Sequence, residues 1–284
     1  MVTLTEAEIR QAVREALAED LGTAGDVTTL ACISPTSSCR ALMNAREAMT
    51  VAGLDFAVAA FRDLGPNLRF ESRVTDGTAV SAGTTLLEVH GSTRAILTAE
   101  RVALNFTQRL SGVATATARF VALVQGTGAR ILDTRKTTPG WRRFEKYAVA
   151  CGGGTNHRVG LFDLVLIKDN HLAALADEQP NAIAAAVQRA RQLYPQLRVE
   201  VEADRLDQVR QAVAAGADII LLDNMSLTEL REAVGLVGGR AKTEASGGVN
   251  LQTVRDIAGT GVDFISVGAI THSARSVDIG LDFA

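Results

Sequence analysis

Residues 218–250 read DIILLDNMSLTELREAVGLVGGRAKTEASGGVN. An apolar run, Asp218 to Leu222, closes on Asp223-Asn224. Ser226 and Glu229 then form a capping-box pattern ahead of Leu230, Val234 and Val237, the spacing of an amphipathic helix. A second run, Lys242 to Ala245, ends in Ser246-Gly247-Gly248, and Asn250 is placed to cap a helix carrying Leu251, Val254 and Ile257. Strand, helix, strand, helix at this spacing specifies a parallel sheet, because parallel neighbours need a crossover between them.

The same texture extends both ways. Ala129–Asp133, Leu164–Ile167, Leu197–Val201 and Phe264–Val267 are further apolar runs with polar ends, and Asn181 precedes the helical pattern Ile183, Val187, Ala190. At least six such units predict an α/β fold, a (β/α) barrel, complete or open, over residues 113–270. An open doubly wound sheet is the alternative, but no G-x-G-x-x-G follows any strand and there is no Walker A sequence. Residues 1–112 read as a separate α+β domain. Thr5 and Glu8 cap a first helix with Ile9, Val13 and Leu17 on one stripe. Leu54–Leu64 is a second helix, and Leu68–Val74 and Thr84–Val89 are strands. Arg94 to Leu110 is a long helix that Gly112 is expected to close. Its main apolar face is Ile96, Ala99, Ala103, Phe106 and Leu110; Arg101 falls opposite, beside a narrower stripe of Leu97 and Leu104. Two stripes suit two packing partners, one of them another subunit.

Composition narrows the class. In 284 residues, 47% hydrophobic and 21% charged side chains describe a globular protein and exclude disorder. A net charge of −3 offers no electrostatic case for nucleic acid or an anionic membrane. Three scattered cysteines exclude a disulfide framework and suit the reducing cytoplasm. No apolar run reaches the roughly 20 residues of a membrane span.

Barrel chemistry sits at the C-terminal ends of the strands. Those ends are Asp133-Thr134-Arg135-Lys136, Lys168-Asp169-Asn170-His171, Glu200-Val201-Glu202, Asp223-Asn224, Ser246-Gly247-Gly248 and Gly268-Ala269, with Gly152 to Arg158 joining two of them. Arg135, Lys136, His157, Arg158 and Lys168 would converge on one mouth and suit a ligand with several negative charges. Gly152 to Gly154, beside Thr155-Asn156-His157-Arg158, suit an anion nest. Ser246, Gly247, Gly248, Gly268 and Ala269 close the last two strands, where barrels commonly hold a phosphate. Glu200 and Glu202 share one face of a strand; with Asp223 they could hold Mg²⁺ indirectly or ribose hydroxyls, or pair with Lys168 or Lys242. His90, His171 and His272 show no metal-ligand spacing, and Cys151 lacks the companions of a nucleophile.

Longer motifs carry a resemblance. Ile131-Leu132-Asp133-Thr134-Arg135-Lys136-Thr137-Thr138-Pro139-Gly140, Lys146-Tyr147-Ala148-Val149, Gly152 to Arg158, and Leu166-Ile167-Lys168-Asp169-Asn170-His171 closely resemble the quinolinate phosphoribosyltransferase signature. Matches at Glu19-Asp20-Leu21, Gly25 to Thr29, Thr98 to Arg101, Leu221 to Asn224, Glu244 to Gly248 and Val267 to Ser273 extend it across the chain. The resemblance implies an N-terminal α/β sandwich plus a C-terminal open (β/α) barrel, with residues 271–284 packing back onto the first domain. It implies phosphoribosyl transfer from phosphoribosyl pyrophosphate to quinolinate with decarboxylation, in NAD biosynthesis, requiring Mg²⁺. It implies a homodimer or larger, in which Arg101 reaches the neighbour's quinolinate. Arg135, His157, Arg158 and Lys168 would bind and orient the acid, with Thr134 in support, and Lys136 would meet either carboxylate or pyrophosphate. Glu202 and Asp223 would serve ribose and metal, and Ser246, Gly247, Gly248, Gly268 and Ala269 the 5′-phosphate. Of these, Lys136, Lys168, Glu202 and Asp223 would be catalytic. A paralogue using another heterocyclic acid, a Schiff-base lyase using Lys168, and a non-catalytic phosphosugar-binding protein are the alternatives.

Overall fold

The computed structural model describes residues 2–284. The chain divides into two compact units, one of residues 1–118, 139–153 and 273–284, the other of residues 119–138 and 154–272. This division groups residues 139–153 with the N-terminal unit, where the reading by linear position has them in the barrel.

The first unit opens with α1 (Glu6–Leu21), whose capping box is present and whose stripe of Ile9, Val13 and Leu17 is buried. α2 (Val27–Cys32) follows, then β1 (Ser38–Ala45), β2 (Met49–Thr50), α3 (Leu54–Leu64), β3 (Arg69–Ser72), β4 (Ala79–Val80) and β5 (Thr85–Ser92). The C-terminal strand Ile279–Phe283, β1, β5 and β3 lie side by side, antiparallel throughout. On β1 the alternation is Ala41, Met43 and Ala45 inward and Arg40, Leu42 and Asn44 outward. α3 buries Phe56 and Phe61.

Helix α4 (Thr93–Val124) follows β5 directly. Its expected core face is buried, but Gly112 does not end it. Gly112 is there because the chain passes too close for a side chain: a Cβ would lie 2.0 Å from the Arg275 carbonyl oxygen. Gly112→Ala is therefore expected to destabilise by roughly 1–3 kcal/mol, read as a lower urea midpoint. In an open helical position the same change would stabilise by about 0.5–1 kcal/mol.

Helix α5 (Arg142–Cys151) also belongs to this unit. Arg143 bonds both Glu8 carboxylate oxygens and the Thr3 carbonyl, tying α5 to the start of α1. With Thr5, it holds the Glu8 carboxyl down at about 2. A lowered acid stabilises above its ordinary value of 4.5 and loses that contribution as pH falls towards 2. Glu8→Gln is expected to flatten that acid limb of a Tm-against-pH curve.

The second unit holds six parallel strands: β6 (Arg130–Leu132), β7 (Val165–Ile167), β8 (Val199–Ala203), β9 (Ile219–Asp223), β10 (Lys242–Ser246) and β11 (Phe264–Ser266). Their order is β6-β11-β10-β9-β8-β7, so from β7 onward sequential strands are neighbours, and the first pairs with the last. No ladder joins β6 to β7 among the described residues, and the barrel is open there. Helices α6 (Asp169–Ala173), α7 (Ala182–Leu193), α8 (Leu206–Ala214), α9 (Leu227–Val237), α10 (Val254–Ala258) and α11 (Ala269–His272) follow the strands from β7 onward. Apolar residues such as Val199, Val201, Ile220, Leu222, Ala245 and Ile265 fill the sheet, as in parallel sheets covered on both faces. Asn250 caps a turn and not the helix itself: its Oδ1 accepts from the amides of Gln252 and Thr253, and α10 starts one residue later. Among the described residues no helix is long and apolar enough to cross a membrane.

Candidate active site

The strand ends of the second unit enclose a cavity of about 640 Å³. Thr134, Arg135, Lys136, His157, Arg158, Lys168, Glu202, Asp223, Ser246, Gly247 and Gly248 line it, as the strand-end reading expects. Leu166, Leu221, Asn224, Glu244 and Ser266 line it too, and that reading gave them no role. A Cβ at Gly268 would lie 3.1 Å from the side chains of Lys136 and His272, and Ala269 opens α11. Arg101 belongs to the first unit, where it is exposed on α4 and edges a hollow with Glu19, Asp20 and Asn105.

Local order comes from acids and turns beside the mouth. Asp133 is fully buried; its carboxylate accepts from Asn156 Nδ2 at 2.7 Å and from the His157 amide at 2.8 Å. That anchors the segment carrying His157 and Arg158 to the end of β6. Lys168 Nζ lies 2.9 Å from Glu202 Oε2, so an ion pair joins the ends of β7 and β8. Lys242 instead pairs with Asp263. Asn224 takes a left-handed φ of 55°, tolerated by asparagine, while donating from its amide to Ser246 and from its side chain to Asp223. The ends of β9 and β10 are thereby locked together.

The two arginines are held in a state that invites an anion. Burial lowers the Arg158 guanidinium's affinity for its proton, and Arg135 adds repulsion, against attraction from Glu200 and Asp163. Arg135 Nε is buried without a hydrogen-bond partner. A donor left so is a cost that a bound carboxylate or phosphate would remove.

Depth separates the two glutamates of β8. Glu202 is at the mouth, while Glu200 is fully buried one layer below, 3.0 Å from His157 Nε2. Glu244 lies beside them, its Oε1 accepting from Ser266 Oγ at 2.5 Å. Burial and the neighbouring Glu200 push the Glu244 carboxyl up to about 8. A signal for Glu244 exists in the chain: it stands two residues before Ser246, in phase with that strand end. His157 lines the cavity as expected, but its nitrogens meet protein atoms: Nε2 the glutamates, Nδ1 the Arg158 amide at 2.7 Å.

The glycine run is not the anion nest its composition suggests. Gly152 ends α5 in the first unit, and a Cβ there would lie 2.4 Å from the Ala114 carbonyl oxygen. Its role is close packing; the site's share of this segment is His157 and Arg158. Cys151 is a poor thiolate, pushed up to about 11 by burial and by Asp76.

Comparison with known proteins agrees with this geometry. The family model for the quinolinate phosphoribosyl transferase C-terminal domain matches residues 113–282, and the N-terminal model matches residues 26–111. Nicotinate-nucleotide pyrophosphorylase (carboxylating) of Mycobacterium leprae is 43% identical over 278 residues, 96% of each chain. The probable enzyme of that name in Bacillus subtilis is 41% identical, covering 97% of this chain and 93% of the relative. The nicotinate-nucleotide pyrophosphorylase structure from Francisella tularensis superposes with a TM-score of 0.93 at 42% identity, over 100% of this chain and 98% of that one. With both family models matched and relatives this similar over nearly the full length, the chain belongs to the quinolinate phosphoribosyl transferase family.

Proposed function

We propose that the protein transfers the phosphoribosyl group of phosphoribosyl pyrophosphate to quinolinate, releasing pyrophosphate and CO₂ and forming nicotinate mononucleotide. The observation that carries this reading is the lining of the barrel mouth. Four cations, Arg135, Lys136, Arg158 and Lys168, line it together with Glu202, Asp223, Glu244 and a Ser246-Gly247-Gly248 turn. A ligand matching all three has an acidic part, a polyol and a phosphate. Arg135, Arg158 and Lys168 bind the two carboxylates of quinolinate, and Lys136 meets carboxylate or pyrophosphate. The glycine turn takes the 5′-phosphate, with Gly268 and Ala269 beside it.

The ring nitrogen is a poor nucleophile, so rate comes from positioning and electrostatics. The nitrogen lone pair forms the bond to the ribose anomeric carbon as the bond to pyrophosphate oxygen breaks, its electrons leaving with pyrophosphate. Glu202 and Asp223 face the positive charge that develops on the sugar. The adduct is a pyridinium; loss of CO₂ leaves its electron pair on the ring carbon, stabilised by the adjacent cationic nitrogen, and a proton then fills that position. Glu202 and Asp223, on adjacent strands, offer the hard oxygen donors that suit Mg²⁺ and its waters. Bound with pyrophosphate, that ion would offset charge on the leaving group. Arg101, exposed on α4, is assigned to the quinolinate of a second copy in a homodimer or larger assembly.

Incubation with phosphoribosyl pyrophosphate and Mg²⁺, in parallel with quinolinate and with nicotinate, tests the reading. Nicotinate mononucleotide from quinolinate alone, with one CO₂ per turnover, is the expected result. No product from quinolinate, with the protein folded and phosphoribosyl pyrophosphate bound, would assign the site to another heterocyclic acid.

A further inference from the structure

Beneath the mouth, His157, Glu200 and Glu244 bring one ligand atom each to within 4.8 Å of one another. Both Glu200 carboxylate oxygens and Glu244 Oε2 are buried without a hydrogen-bond partner. Two carboxylates and an imidazole resemble a cation site, but the histidine decides otherwise. Its Nδ1 accepts the Arg158 amide at 2.7 Å, so a neutral ring carries its proton on Nε2. A protonated nitrogen has no lone pair for a metal. It is a donor, and it lies 3.0 Å from Glu200 Oε2 and 3.5 Å from Glu244 Oε2.

The rest of the cluster closes on the same assignment. Two buried carboxylates this close do not both ionise. Glu244 is the one that burial and its neighbour hold protonated at neutral pH, and its Oε1 is already occupied by Ser266. Its proton then sits on Oε2, facing Glu200. Glu200 then has the His157 Nε2–H 3.0 Å from its Oε2 and the Glu244 carboxyl beside it. The other ring nitrogen of the same histidine holds the amide of Arg158, a residue that lines the mouth and whose guanidinium also donates to the Leu164 carbonyl.

We propose that Glu200 and Glu244 are positioning residues for acid binding. They hold His157 as its Nε2–H tautomer, so that the bare Nδ1 fixes the Arg158 amide and, through it, the Arg158 guanidinium. This rests on the role of Arg158 given above, and its first test does not depend on turnover.

The chain has four histidines, so ring-¹⁵N labelling resolves His157 by comparison with His157→Gln. In the substrate-free protein His157 is expected to show one protonated and one bare nitrogen, with the bare one at Nδ1. Glu244→Gln keeps a donor towards Glu200 and should retain that signature, with the quinolinate KM within about two-fold of wild type. Glu244→Ala leaves Glu200 with the imidazole alone. The ring should then take a second proton, Nδ1 becomes a donor, and the Arg158 amide is displaced. The quinolinate KM is expected to rise at least ten-fold while that for phosphoribosyl pyrophosphate stays within two-fold. A proton on Nδ1 in the wild type would overturn the proposal, as would a stoichiometric metal whose chelation shifts the His157 signals. So would Glu244→Gln proving as damaging as Glu244→Ala, or Glu244→Ala leaving the quinolinate KM unchanged. If Glu244→Ala does not fold, the wild-type tautomer and the Glu244→Gln kinetics still decide. Failure to turn over quinolinate with the expected tautomer present would instead count against the assigned substrate.

Discussion

Replacing Arg135 with methionine is expected to stabilise the unliganded protein by about 1–3 kcal/mol while weakening binding of the acid roughly 10²–10³-fold. The first half follows from what Arg135 lacks. Its Nε is buried with no acceptor, and its charge opposes that of Arg158, itself already disfavoured by burial. Methionine keeps much of the apolar stem and removes both liabilities. The second half follows from what the guanidinium is for: a planar donor that a carboxylate can pair with bidentately, in a mouth where water is partly excluded. Urea unfolding with and without quinolinate reads both. The wild type should gain stability from the ligand in proportion to ln(1 + [L]/Kd); Arg135→Met should start higher and gain little. A variant less stable than wild type without ligand would mean that Arg135 holds the fold together, and the account of a site kept under electrostatic tension would be wrong. Arg135→Lys separates charge from shape. It keeps the cation but not the fork, and should recover only part of the binding.

How much of this was legible beforehand depends on whether a residue acts along the chain or across it. The parallel sheet was readable because apolar runs with polar ends and capped helices are local patterns, and all six runs became strands. β1 was not, because Ala41, Leu42, Met43, Asn44 and Ala45 are poor strand formers on average; β5 and the C-terminal strand on either side hold it extended. Gly112 and Gly152 carry one letter with two meanings. A glycine after a helical stretch suggests a cap or a flexible loop, and only the approach of Arg275 or Ala114 shows that these two make room. The site's residues were visible as polar strand ends, but their depth was not. Glu200 and Glu202 have the same parity and chemistry; the barrel puts one under His157 and the other beside Lys168.

The same distinction gives the sharpest contrast among the glycines of the phosphate end. Gly247→Ala is expected to lower kcat/KM for phosphoribosyl pyrophosphate roughly 10²–10³-fold, and Gly248→Ala by much less, although the residues are adjacent. At Gly247 φ is +96°, and a Cβ would lie 2.1 Å from Asn224 Oδ1 and 3.0 Å from the Asn224 amide nitrogen. Asn224 cannot retreat cheaply. Its amide bonds Ser246 at 2.9 Å and its side chain bonds Asp223 at 2.7 Å, so pushing it aside drags the end of β10 and a sugar-facing acid together. A displacement near 1 Å of a positioning group can cost roughly 10²-fold in rate, and here the phosphate turn and Asp223 move at once. At Gly248 φ is +61°, within the ordinary left-handed region, and a methyl there would have nothing within 4 Å of it. Its cost is the left-handed backbone, about 1–2 kcal/mol, with no neighbour displaced. Kinetics with each substrate varied in turn would show the Gly247 defect chiefly as a raised KM for phosphoribosyl pyrophosphate, accompanied by lower kcat as Asp223 shifts. Asn224→Ala in the Gly247→Ala background should recover part of the loss by removing the clashing side chain. If the double variant were no better than the single, backbone strain at residue 247 and not the collision with Asn224 would be the source of the defect.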